Sequence, residues 1–326
     1  MREHFKSRNV LITGGLGFIG SNLAIRLVGL GANVTLVDSL IPEYGGNLFN
    51  IEPIKDQVRL NISDVRDQFS MNHLVQGQDY LFNLAGQTSH LDSMADPMTD
   101  MEINCRAQLS ILEACRLRNP RARIVFASTR QVYGRPQFLP VTEDHPLNPV
   151  DVNGINKLAG EKYHLLYDQI YGIPTTVLRL TNTIGPRMRI KDARQTFVGI
   201  WIRHLIEGKP IEVWGGSQLR DFTDVEDAVG AFLLAATLPK AVGSVFNLAG
   251  PRSSLTKLAE LVISFRADGT YVVKEFPSER AQIDIGDYQA DDSRIRNLLG
   301  WAPTATLSET IERTIRYYSE NFTAYI

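Results

Sequence analysis

Three glycines, Gly14, Gly17 and Gly20, follow the apolar run Val10-Leu11-Ile12-Thr13 and precede Leu23, Ile25, Leu27 and Leu30 at roughly helical spacing. Strand, glycine turn and helix in that order form the context a dinucleotide-binding loop requires. Gly14 permits a tight turn, Gly17 lets backbone approach a pyrophosphate, and Gly20 lets the helix lie close to the strand. The free N–H groups where Phe18 and Ile19 open that helix, with its positive end, favour phosphate oxygens. A second run, Asn33-Val34-Thr35-Leu36-Val37, ends in Asp38. That acid stands about 20 residues past the loop, as a ribose-binding carboxylate does in such units. A structural glycine turn is the plain alternative, and Asp38 argues against it.

A chain of 326 residues exceeds one average domain, so one large domain or two intimate ones are expected. Hydrophobic content of 44% and charged content of 21% allow a large core. A net charge of −2 gives no electrostatic case for nucleic acid or a membrane surface. No apolar run approaches a transmembrane length, and Met1-Arg2-Glu3-His4 is not followed by a signal-type apolar region, so a soluble cytoplasmic protein is expected. Cys105 and Cys115 fall on one predicted helix, with neither disulfide nor metal spacing.

The elements that must position these groups alternate. Strands are predicted at 58–60, 79–85, 124–128 and 175–180, with helices at about 97–117 and 155–171. Such alternation predicts an α/β fold, a doubly wound parallel sheet with helices on both faces. Beyond Thr181 the pattern changes. Turns at 183–187 and 214–216 flank a helix near 196–207; a helix at 224–236 and a strand at 245–248 follow, the strand able to rejoin the sheet. The expected division is residues 1–180, with a return near 224–250, and a smaller mixed α/β lobe over 181–326. Open α/β sheets bind ligands beyond the carboxyl ends of their strands, so the site is expected between the lobes.

An ordered set of motifs spans nearly the whole chain: Gly14 to Gly20, Asp38, Asp64-Val65, Asn83-Leu84-Ala85-Gly86, Asn104, Ser128-Thr129 with Val132-Tyr133-Gly134, Lys157, Leu178 to Asn182 with Gly185-Pro186-Arg187, Arg220-Asp221-Phe222, and Leu299 to Pro303. Together these resemble the extended short-chain dehydrogenase/reductase family, in its nucleotide-sugar epimerase/dehydratase branch. The resemblance implies a Rossmann-type sheet, bound NAD and a nucleoside diphosphate sugar. Asp38 would hold the adenosine ribose, Asp64 and Val65 the adenine, Leu84, Ala85 and Gly86 the dinucleotide's path, and Asn104 and Lys157 the nicotinamide ribose side. Ser128 and Thr129 would face the sugar, Asn182 the sugar or first phosphate, and Trp214 the nucleotide base, with simple packing as its alternative. Arg220 with Arg280 would meet the diphosphate, a job suited to a guanidinium's fork of donors, surface ion pairs being the alternative for both. It also implies a homodimer through the helices at 97–117 and 155–171, whose Ile111, Leu112, Leu158, Leu165 and Leu166 suit either a partner or the sheet.

One position departs from the family. Its signature is a tyrosine, three residues, and a lysine; in Pro149 to Glu161 the register puts Asn153 in the tyrosine's place, four before Lys157. An amide can position a hydroxyl but has no accessible proton-transfer pKa, so Asn153 cannot be a general base. His90, in the loop after the fourth strand, is the leading substitute by its imidazole pKa, a structural hydrogen-bonding role being its alternative. Lys157 could serve if desolvated. Thr129 could relay a proton without keeping it, and Tyr133 ranks lower as part of the Val-Tyr-Gly turn.

Arg130-Gln131 stands where family 4,6-dehydratases carry Asp-Glu, and neither side chain can do that acid–base work, so water elimination is not expected. Arg130 could bind a substrate carboxylate such as a uronate, or be a solvated surface arginine. The expected activity is NAD-dependent epimerisation of a nucleotide sugar through a transient ketone. A ketoreductase or other oxidoreductase on the same substrates is the enzymatic alternative, and a non-catalytic NAD/nucleotide-sugar binder the alternative of another class.

Overall fold

The computed structural model describes residues 1–277 and 281–326. In the first half the strands are β1 (Asn9–Thr13), β2 (Asn33–Asp38), β3 (Val58–Ile62), β4 (Tyr80–Asn83), β5 (Arg123–Thr129) and β6 (Thr175–Leu180). They are followed by β7 (Asn182–Ile184), β8 (Ile211–Trp214), β9 (Leu219–Asp224), β10 (Val245–Asn247), β11 (Arg252–Ser254) and β12 (Tyr271–Lys274). A seven-stranded sheet runs in the order β10-β6-β5-β4-β1-β2-β3, every neighbouring pair parallel. The order reverses between β1 and β4, the switch point where such sheets open a crevice.

Both faces of this sheet are covered, which is why its central strands read as unbroken apolar runs. Alternate residues of a strand point to opposite faces. Val10 and Ile12 enter the cluster with Leu23, Leu27, Phe232 and Phe246, beneath helices Phe18–Gly29 and Val225–Thr237. Leu11 enters the opposite cluster with Leu81, Ile111, Leu112 and Ile124, beneath helices Ala107–Arg118 and Val152–Tyr171. Ile111 and Leu112 are therefore fully buried against the sheet and offer nothing to a partner. Leu158 and Leu165 are partly buried, and Leu166 is exposed with Ile155 and Ile170 of the same helix.

The smaller lobe holds two short sheets, β11-β9-β7 and β12-β8, packed around Trp201, Phe222, Ile311 and Tyr318. Helix Leu307–Asn321, left unpredicted by the sequence pattern, closes this core; a capping box of Thr306 and Glu309 starts it. The helix predicted over 97–117 is three segments, Pro97–Met101, a π turn at Glu102–Arg106, and Ala107–Arg118. Periodicity cannot reveal such a turn, and it falls at Asn104, as π turns often fall at functional positions. No helix among the described residues is long and apolar enough to cross a membrane.

Candidate functional site

A cleft of about 260 Å³ opens at the carboxyl ends of β1, β2, β4, β5 and β6. At its inner end, Gly14 holds a left-handed φ of +68°, and a Cβ there would stand 3.0 Å from the Ala85 backbone nitrogen. A Cβ on Gly20 would lie 2.2 Å from the Gly14 carbonyl oxygen, so no larger residue lets this helix start so close to the turn. Gly17, Phe18, Ile19, Leu84, Ala85 and Gly86 line the same end. The Thr13 hydroxyl accepts from the Leu84 and Ala85 N–H groups, both at 3.1 Å, and so fixes the path of that loop.

Asp38 accepts from Leu16 N at 3.0 Å and from Leu40 N at 2.9 Å. Burial pushes its carboxyl pKa up, and the two backbone donors oppose that rise. Each oxygen keeps a lone pair for a ribose hydroxyl. Asp64 and Val65 form the neighbouring wall. Burial raises the Asp64 pKa, but the Arg66 guanidinium, 2.6 Å away, outweighs it and holds the carboxyl below its usual range.

Deeper in, Asn153 and Lys157 share one face of helix Val152–Tyr171, a turn apart. Asp151 begins that helix, accepting from Gly154 N at 2.6 Å. The Asn153 side-chain amide donates to the Gln87 carbonyl at 2.8 Å and to Asp100 Oδ2 at 3.1 Å. Asp100 is fully buried and also accepts from Asn104 at 3.0 Å and Asn156 at 2.8 Å. Lys157 Nζ donates to the Ala127 carbonyl at 3.2 Å; burial pushes its pKa down to about 8, with the Asp100 charge opposing. Asn104 Oδ1 is enclosed and has no hydrogen-bond partner among the described residues. A Cβ on Gly86 would lie 2.7 Å from Lys157 Nζ and 2.8 Å from Asn104 Oδ1. An orphaned acceptor and an ammonium with donors to spare, both beside a glycine, fit the hydroxyl-rich nicotinamide ribose of a dinucleotide.

Toward the second lobe the wall is Ser128, Thr129, Arg130, His90 and Asn182. His90 Nδ1 stands 2.8 Å from Asp151 Oδ2; the contact is close but poorly directed as a hydrogen bond. Thr129 accepts from Gln131 N at 3.2 Å, which leaves its O–H proton for a ligand. Ser128 gives its proton to Glu161 at 2.9 Å, and Glu161 is itself clasped by Arg179 at 2.5 and 3.0 Å. Asn182 donates to the Asp221 carbonyl at 3.1 Å. Tyr133 is fully buried between Arg179 and Asn247, both at 2.6 Å, and burial raises its pKa to about 12, so it is no base.

Two expected substrate residues lie elsewhere. Arg220 is buried in an ion pair with Asp284 (3.1 Å to both oxygens) and also donates to Gly286 O, and it does not line the cleft. Asp284, 64 residues along the chain, is the anion that Arg220 meets in this structure. Trp214, at the end of β8, is also outside the cleft wall. Arg280 lies outside the described residues. Asp151, Gln87 and Asp100 carry contacts that sequence reasoning did not assign. Asp151 had a legible signal, an acid just before a helix, but that signal predicts a cap and says nothing of His90.

A family model described as the NAD dependent epimerase/dehydratase family matches residues 10–249. The chain belongs to that family. UDP-glucose 4-epimerase of Mycolicibacterium smegmatis is 32% identical to this family member over 311 residues, 94% of this chain and 97% of that one. Among solved structures, UDP-glucose 4-epimerase with UDP-glucose from Thermotoga maritima superposes with a TM-score of 0.86 at 27% identity, covering 96% of this chain and 99% of that chain. UDP-glucuronic acid 4-epimerase from Bacillus cereus, in complex with UDP-glucuronic acid and NAD, gives 0.84 at 26% identity, covering 96% and 99%. NAD is the cofactor of this epimerase/dehydratase-family member.

For the cofactor end, Asp38→Asn is expected to weaken NAD binding by about ten-fold, the scale of one charge-assisted hydrogen bond, and to narrow the preference over NADP because the repelling charge is gone. Calorimetric titration with both dinucleotides checks this. An unchanged NAD/NADP ratio would show that Asp38 does not face the ribose.

Proposed function

We propose that this protein is a nucleotide-sugar epimerase that inverts one carbinol through a transient ketone, with His90 as the base where the family has a tyrosine. The observation that carries this reading is the 2.8 Å approach of His90 Nδ1 to the buried carboxylate of Asp151, at the wall of the cleft. A carboxylate at Nδ1 favours the tautomer whose Nε2 is free to accept a proton, and it stabilises the imidazolium that results. Burial raises the Asp151 pKa, but His90, Gly154 N and Gln131 outweigh it and hold the acid below its usual range, so it stays charged. Thr129 would donate its hydroxyl proton to the reacting oxygen and orient it. Lys157 and Asn104 would hold the nicotinamide ribose, and Asn153 would keep the Gln87 loop in place rather than touch a proton. When bound, NAD supplies the hydride acceptor and donor. The nucleoside diphosphate sugar would lie between the lobes, with Arg220 reaching the diphosphate only if its pair with Asp284 opens. Exposed Ile155, Leu166 and Ile170 support a homodimer along helix Val152–Tyr171.

The test is incubation of the NAD-loaded protein with a panel of UDP-, dTDP-, CDP- and GDP-sugars in D2O, with products read by NMR. The expected product is inverted at one carbon and carries no deuterium there, because a hydride that leaves and returns never meets solvent. Deuterium at the inverted carbon would overturn the ketone route. Sugars bound but never converted would leave a binding protein.

A further inference from the structure

We propose that the cleft contains a carboxylate-binding subsite built on Arg130, which makes the substrate class an acidic sugar, one that carries a carboxylate on the hexose itself. This rests on the nucleotide-sugar reading above and narrows it. Arg130 follows Thr129 at the end of β5 and opens the short helix Arg130–Tyr133, so it stands beside the residue that would orient the reacting hydroxyl. Its side chain is not the solvated surface arginine that the sequence equally allowed. Nε is fully enclosed and has no hydrogen-bond partner among the described residues, and the guanidinium lies over the Tyr288 ring, 5.7 Å from its centroid. No ion pair to Arg130 is formed among the described residues, whereas buried Arg179 pairs with Glu161 and buried Arg220 with Asp284.

The charges of Asp221 and Asp284 act on Arg130 through space, but no carboxylate among the described residues pairs with it. Asp221 is fully buried nearby, but it forms no ion pair with Arg130; its Oδ2 accepts from Ala290 N at 3.0 Å and its Oδ1 is orphaned. Burial raises the Asp221 pKa to about 6, while Arg220 adds a second positive charge to the same region. An arginine whose enclosed Nε finds no acceptor among the described residues is costly unless an anion meets its donors. Its fork of parallel N–H groups matches a carboxylate in two-point contact. Position selects the source of that anion. Arg130 adjoins Thr129 and the His90 wall, where the hexose would react, so the anion belongs to the sugar.

The experiment compares UDP-glucuronate with UDP-glucose on the NAD-loaded protein. Affinity is read by calorimetry and conversion by NMR, for the wild type, Arg130→Met and Arg130→Lys. The wild type is expected to bind the uronate at least ten-fold more tightly. Arg130→Met should collapse that ratio by about ten- to a hundred-fold, the range of a charge-assisted bidentate contact, and Arg130→Lys should restore part of it. Unaltered melting temperature and NAD affinity in Arg130→Met would show that the fold is intact. Glucose bound and converted with the uronate rejected overturns the carboxylate subsite and leaves the epimerase reading standing. Uronate bound selectively through Arg130 but never converted overturns the epimerase reading and leaves the subsite standing. Binding of neither sugar, or equal loss of both in Arg130→Met, overturns the proposal.

Discussion

His90→Phe is expected to lower kcat by about 10²- to 10⁴-fold, the usual contribution of a positioned general base, while the dissociation constants for NAD and nucleotide sugar stay within a few-fold. The reason is division of labour at the cleft wall. His90 is only partly buried and holds no backbone element together, so its loss leaves the glycine turn, Asp38 and the Lys157 region as they were. Asp151→Asn is the companion variant. Asparagine also caps helices well, so Gly154 N keeps its acceptor and the helix its start. The charge beside Nδ1 is gone, so positive charge developing on the ring during proton removal is less stabilised, and kcat should fall by about ten-fold or more with NAD affinity unchanged. A structural role for Asp151 would lower the melting temperature and leave kcat in place. Full turnover in His90→Phe would remove His90 as the base.

The second large effect concerns Lys157, where cofactor affinity and fold stability should respond to pH with opposite signs. Burial pushes this ammonium down to about 8 from an ordinary 10.5. Below pH 8 it is charged in both folded and unfolded chains and contributes no pH dependence to stability. Between about 8 and 10.5 the unfolded chain holds the proton and the folded one does not, so this group makes stability rise with pH. Over the same interval the folded protein loses the cation that would hold the nicotinamide ribose, so NAD affinity should fall. Lys157→Met removes a buried charge at similar volume, and the fold should be no less stable. NAD affinity should nonetheless drop by about ten- to a hundred-fold and lose its pH dependence above 8. A dissociation constant that is flat with pH in the wild type would show that the ammonium does not touch the cofactor.

Sequence alone carried the parts of this protein whose physics is local. A strand, three glycines and a helix fold as one unit because Gly14 needs a left-handed φ and Gly20 needs a missing Cβ, and both needs are met within seven residues. Strand–helix alternation likewise determined a parallel sheet buried on both faces, and the motif series determined the family. Tertiary structure decided which groups are free to act, because a side chain's partner comes from a distant segment. By type Arg220 and Arg130 could each meet substrate or solvent, yet Asp284 pairs with the first and no carboxylate among the described residues pairs with the second. His90 became more than a lone histidine only when the fold brought Asp151 within 2.8 Å of it, 61 residues along the chain. Ile111 and Leu112 suited a partner or the sheet equally well by type, and helix rotation against β1 and β4 turned them to the sheet. Charge neutralisation and burial depend on distances that no stretch of sequence contains.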